Sequence, residues 1–154
     1  MAQPAPTAPL VETPPDPEAA RVLCASGWEK AKAGDRQGAL RDFELALEKD
    51  PKCAEAYVKK GLIQLSLRRA AHANQAFQRA LEVDPQNVVA TKCLGDMALG
   101  DKKYPAAIEL FTKALELGPD AKLAVKLHQA RGYARHLGGD QQGAIADCDA
   151  AIQL

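Results

Sequence analysis

A chain of 154 residues is long enough for one domain with its own core, and 47% hydrophobic against only 5% aromatic content favours helices rich in alanine and leucine over strands. Twenty basic and twenty acidic residues cancel, so no overall field draws the chain onto phosphate backbones or anionic lipid; neither nucleic acid nor a membrane is an expected partner. No stretch approaches the ~20 apolar residues of a membrane span, and the start Met-Ala-Gln-Pro has neither a basic nor an apolar signal region, so a cytoplasmic location is expected.

Residues 1–17 hold six prolines (Pro4, Pro6, Pro9, Pro14, Pro15 and Pro17), two acids and no basic residue. Such a composition cannot bury a core, which predicts a disordered or polyproline II leader. Pro6-x-x-Pro9 and Pro14-x-x-Pro17 have the spacing of a PxxP ligand but no flanking Arg or Lys.

From residue 18 to 154 the chain repeats. Gly27, Gly61 and Gly95 are 34 residues apart, as are Ala39, Ala73 and Ala107, Phe43, Phe77 and Phe111, Ala46, Ala80 and Ala114, and Pro51, Pro85 and Pro119. A fixed period of this length, kept by five series in one order, marks a stack of identical supersecondary units. Arg36 to Lys49 shows the second helix of a unit, with Leu40, Phe43, Leu45, Ala46 and Leu47 on an apolar face. Short breaks at Ala33-Gly34-Asp35, Leu67-Arg68-Arg69 and Gly100-Asp101-Lys102 separate the two helices of each unit, and Asp50-Pro51, Asp84-Pro85 and Gly118-Pro119 close the units. The expected units run about 20–53, 54–87, 88–121 and 122–154.

The fourth unit is legible from Gly132, Ala144, Cys148 and Ala151, displaced by 37 residues rather than 34. Three residues added within Asp120 to Leu127 amount to nearly one helical turn of 3.6 residues, which predicts a longer first helix there. Cys148 stands where the other units carry phenylalanine, so this unit is expected to be less well filled.

Ala39-x3-Phe43, Ala73-x3-Phe77 and Ala107-x3-Phe111, each followed eight residues later by proline, with the Leu94-Gly95 pair ahead of the last, resemble the tetratricopeptide repeat over about residues 19–154. Tyr57 occupies the place of that repeat's tryptophan, while Lys30, Gln64 and Ala98 replace its tyrosine. The resemblance implies an all-α, right-handed solenoid of four helix-turn-helix pairs, no catalytic activity, no cofactor and a concave surface, lined by each pair's first helix, that holds a partner's peptide.

Projecting from each repeating glycine, the residues expected to line that surface are Arg21, Cys24, Ala25 and Trp28; Glu55, Val58, Lys59 and Leu62; Val89, Lys92, Cys93 and Asp96; and Lys126, Gln129, Ala130 and Tyr133. Four cations against Glu55 and Asp96, with Trp28, Val58, Leu62, Val89 and Tyr133 between them, predict an acidic peptide with one or two apolar anchors. The Lys, Asn and Arg set by which related domains grip a chaperone's terminal carboxylate is replaced here by Cys24, Trp28, Lys59, Val89 and Cys93, so that ligand is not expected.

No P-loop, G-x-G-x-x-G, H-E-x-x-H or G-x-S-x-G motif is present, and an enzyme is not expected. Cys24, Cys53, Cys93 and Cys148 have no C-x-x-C pairing or zinc spacing, and read as small apolar side chains in a reducing compartment. His128 and His136 are about two turns apart, too far to share a metal ion. Two other readings compete: self-association through an uncapped carboxyl-terminal edge carrying Ala144, Ile145, Ala151 and Ile152, and RNA binding by a helical repeat array.

Overall fold

The computed structural model describes residues 14–154, so the leader reading lies outside the described residues except for its last four positions. Pro17, assigned to the leader from sequence, is instead the first residue of a helix: its missing N–H costs nothing in a first turn, and Asp16 accepts a hydrogen bond from Ala19 N–H as the cap.

Eight helices follow in four antiparallel pairs: α1 (Pro17–Lys32) with α2 (Arg36–Lys49), α3 (Ala54–Ser66) with α4 (Ala70–Val83), α5 (Val88–Gly100) with α6 (Tyr104–Glu116), and α7 (Ala121–Leu137) with α8 (Gln141–Gln153). Among the described residues there is no strand. Each pair's second helix also packs on the next pair's first, and α1 meets α3 as α5 meets α7, which is the connectivity of a solenoid. The added turn falls where the spacing placed it: α7 has 17 residues against 13 for α3 and α5.

Four turns inside the pairs use one backbone solution. Gly34 and Gly139 take φ of 91° and 92°, and Arg68 and Lys102, at the same place in their units, are held at φ 60°. The left-handed region lets the chain reverse between the helices but sets Cβ against the following carbonyl in any residue other than glycine.

Three clusters form one core along the stack. Ala39, Ala46, Ala73, Ala80, Ala107 and Ala114 are fully buried, as are Phe43, Phe77 and Phe111. Small residues let the paired helices approach, and each ring fills the space that remains. In the fourth pair the equivalent Cys148 is exposed, because among the described residues no further helix lies beyond α8 for that position to face.

Candidate functional site

An apolar depression of about 480 Å³ lies where α3 meets the turn into α5, with Trp28 of α1 on its edge. Trp28, Glu55, Val58, Lys59, Leu62 and Val89 line it, all of them residues projected from the sequence. Ala54, Asp84 and Asn87 also line it and were missed. Asp84 ends α4 and Asn87 caps α5, donating to Asp84 Oδ2 at 3.2 Å. Helix periodicity says nothing of connecting turns, whereas the Asp84-Pro85 turn signal marks where the chain returns to this wall.

The electrostatics of the wall come from paired rather than free charges. Lys59 Nζ lies 2.6 Å from Glu55 Oε1 and 5.6 Å from the centre of the Trp28 ring, so one ammonium spans a carboxylate and an aromatic face. Lys92 and Asp96, projected for the same surface, do not line this cavity; on α5 Lys92 Nζ meets Asp96 Oδ2 at 2.6 Å. Both pairs join residues four apart on one helix and are partly exposed, where such contacts contribute a few tenths of a kcal/mol. Each of these ammonium groups thus already has a carboxylate partner.

The remaining projected residues fall elsewhere. Cys24 is 1% exposed and Cys93 is buried; both belong to the core rather than the cavity wall. Arg21, Ala25 and Lys126 are exposed and Ala130 half-buried, none of them lining this cavity. Gln129 and Tyr133 line a separate apolar cavity of about 440 Å³ with Ala144, Ile145 and Cys148, on the outer face of α7 and α8. Tyr133 and Trp28 thus border different depressions.

The histidines are engaged apart from one another. His128 Nδ1 lies 2.9 Å from Asp147 Oδ1 and His136 Nδ1 2.8 Å from Gln141 Oε1. Asp147 is 1% exposed, and burial by itself raises a carboxyl's pKa; hydrogen bonds from Arg131 and His128 and the charges of Arg131 and Arg135 more than offset it and hold Asp147 below the ordinary carboxylate value. Asp42, at the same place in the first unit, is also kept low against its burial, by Lys30 at 2.8 Å and by Ser26. Among the described residues no three His, Cys, Asp or Glu side chains gather as a metal-binding group.

Comparison with curated protein sequences gives no match. Solved structures share the architecture. The crystal structure of MamA is 22% identical with a TM-score of 0.76 over 90% of this chain and 79% of its own. MamA 41-end from Desulfovibrio magneticus RS-1 is 25% identical with a TM-score of 0.72 over 88% and 75%. Pseudomonas aeruginosa pilF is 18% identical with a TM-score of 0.78 over 88% and 61%. The family model described as tetratricopeptide repeat matches residues 24–88 and 59–122, more than half of the sequence, and with the 34-residue series and the four helix pairs this places the chain in the tetratricopeptide repeat family.

Proposed function

We propose that this protein is a non-enzymatic adaptor whose concave cavity holds an acidic segment of a partner protein through one or two apolar anchors. The observation that carries the reading is the cavity itself: Trp28, Val58, Leu62 and Val89 enclose enough apolar space for a large aliphatic or aromatic side chain, with Lys59 at its rim. Buried apolar anchors supply most of a peptide's affinity, while charges such as Lys59 at the rim set its approach and register. Four free thiols suit the reducing cytoplasm, where the reading places the chain.

A random peptide library displayed on phage, selected on the wild-type chain, tests this. Selected sequences are expected to combine Asp or Glu with a Leu, Phe or Trp, and to lose binding to a Leu62→Asp, Val89→Asp double variant. Equal binding to that variant would remove the cavity from the account.

A second reading is self-association through the outer face of α7 and α8, supported by Tyr133 and Ile145, 57% and 63% exposed beside an apolar cavity, and by Ile152, 82% exposed on the same helix as Ile145. Sedimentation at tens of micromolar decides it: a dimer that Ile145→Lys dissolves supports this reading, and a wild-type monomer ends it.

A further inference from the structure

We propose that Cys24 and Cys53 form a dithiol that hydroperoxides convert to a disulfide joining the first and second repeats. Their sulfurs lie 3.8 Å apart although the residues are 29 positions apart in sequence. A disulfide of about 2.05 Å requires the sulfurs to close by less than 2 Å, about what a small side-chain rotation with a slight backbone shift supplies.

The two positions differ in the way such a reaction needs. Cys53 ends the turn after Pro51 at the start of α3, is partly exposed, and makes no side-chain capping bond that movement would cost. Cys24 sits within α1, almost wholly buried against the same turn. Burial, reinforced by Cys53 and Glu55 and opposed by Lys59, pushes the Cys24 thiol up to about 12. Cys53 is therefore the sulfur an oxidant reaches, and Cys24 the one that resolves the product.

The chemistry balances in two steps. The Cys53 sulfur takes the terminal oxygen of the hydroperoxide, its O–O bond breaks, and an alcohol (water, for hydrogen peroxide) leaves with Cys53 as a sulfenic acid. The Cys24 sulfur then displaces that hydroxyl: an S–S bond forms, the Cys24 proton and the hydroxyl leave as water, and the two electrons lost by the sulfurs are those that reduced the peroxide.

The bond ties α1 to the first residue before α3. Trp28 lies one turn beyond Cys24, and Glu55 and Lys59 stand on the first two turns after Cys53. Oxidation thus clamps the Trp28 side of the cavity onto the Glu55–Lys59 side. That consequence for binding rests on the function proposed above, whereas the bond itself does not.

The test uses the full chain carrying Cys148→Ser, which removes the one exposed thiol that would link two molecules. Reduced protein is treated with stoichiometric hydrogen peroxide, quenched with a thiol alkylator and weighed intact. The expected result is a loss of two hydrogens in a monomer and a tryptic product joining residues 22–30 to 53–59, with Cys93 alkylated. The same treatment in strong urea is expected to mix all three pairings of the remaining cysteines. Equal mixing in the folded chain, or Cys53 carried to a sulfinic acid without the cross-link, overturns the proposal. Adding Cys24→Ser, with helicity checked by circular dichroism and a second equivalent of peroxide supplied, is expected to replace the cross-link by a Cys53 sulfinic acid, and an unchanged two-hydrogen loss would also overturn the proposal.

Discussion

A Cβ built on Gly27, Gly61 or Gly95 would approach Cε1 of Phe43, Phe77 or Phe111 to 2.8, 2.6 and 2.6 Å, closer than carbon atoms pack. The glycine and the phenylalanine of each unit are one interaction, which is why their two series keep the same period. Phe77 has neighbours on both sides, so Phe77→Ala is expected to cost about 3–5 kcal/mol in denaturant melts through lost burial and the cavity left behind. Cys148→Ala, at an exposed site, is expected to change stability by less than about 0.5 kcal/mol. Arg68 and Lys102 carry the opposite signature, a side chain in the left-handed region where Gly34 and Gly139 stand in the neighbouring units. Arg68→Gly relieves about 1–2 kcal/mol of steric cost and returns part of it as unfolded-chain entropy, so a net gain of about 0.5–1 kcal/mol is expected from thermal melts.

Within the helix pairs, one column shows how different residues solve one packing problem. Lys30 with Asp42 in the first pair and Arg135 with Asp147 in the last are ion pairs at 2.8 Å; the second and third pairs carry Gln64 and Ala76, and Ala98 and Leu110, at these positions. The sequence showed Lys30, Gln64 and Ala98 as replacements of a family tyrosine, but not that an acid twelve residues on answers the cation, because that partner becomes visible only once the two helices are set side by side. The fourth pair is accordingly held less by a ring than by Asp147, whose Oδ1 accepts from Arg131 Nη2 at 2.6 Å and whose Oδ2 accepts from Arg135 Nη1 at 2.8 Å. The replacement of the ring by Cys148 gave no sign of this network. Because the folded carboxyl titrates below its unfolded value of about 3.9, it contributes stability above that pH, and the contribution is lost as pH falls through the lower, folded value. Asp147→Asn leaves two guanidinium groups short of their charge partner and is expected to cost about 3–5 kcal/mol at pH 7. Melts across pH 2–7 check the linkage: the gap between wild type and variant should narrow below about pH 4, and a gap that stays constant would place the cost in packing rather than charge.

At the scale of the whole molecule, period, helix count, turns and the longer α7 were all legible, since each follows from local spacing that stacking then repeats. The cavity was half legible. Helix periodicity brought Trp28, Glu55, Val58, Lys59, Leu62 and Val89 together, but it could not separate residues facing the groove from those facing the adjacent helix, so Cys24 and Cys93 were placed on the wrong side of that boundary. Nor could it show that Lys59 and Lys92 spend their charge on Glu55 and Asp96. Reversing both lysines to Glu is expected to slow association of a selected acidic peptide by up to about tenfold at low salt and to flatten its salt dependence, whereas Trp28→Ala should mainly speed dissociation, a difference that surface plasmon resonance resolves. The most direct measurement of where a partner sits is amide and indole chemical-shift mapping of the labelled chain titrated with such a peptide. The proposed function predicts saturable shifts centred on the single tryptophan, Trp28, and on the cavity-lining residues of α3 and the start of α5. Shifts confined to Tyr133, Ile145 and their neighbours on α7 and α8, with the Trp28 indole unmoved, would contradict it.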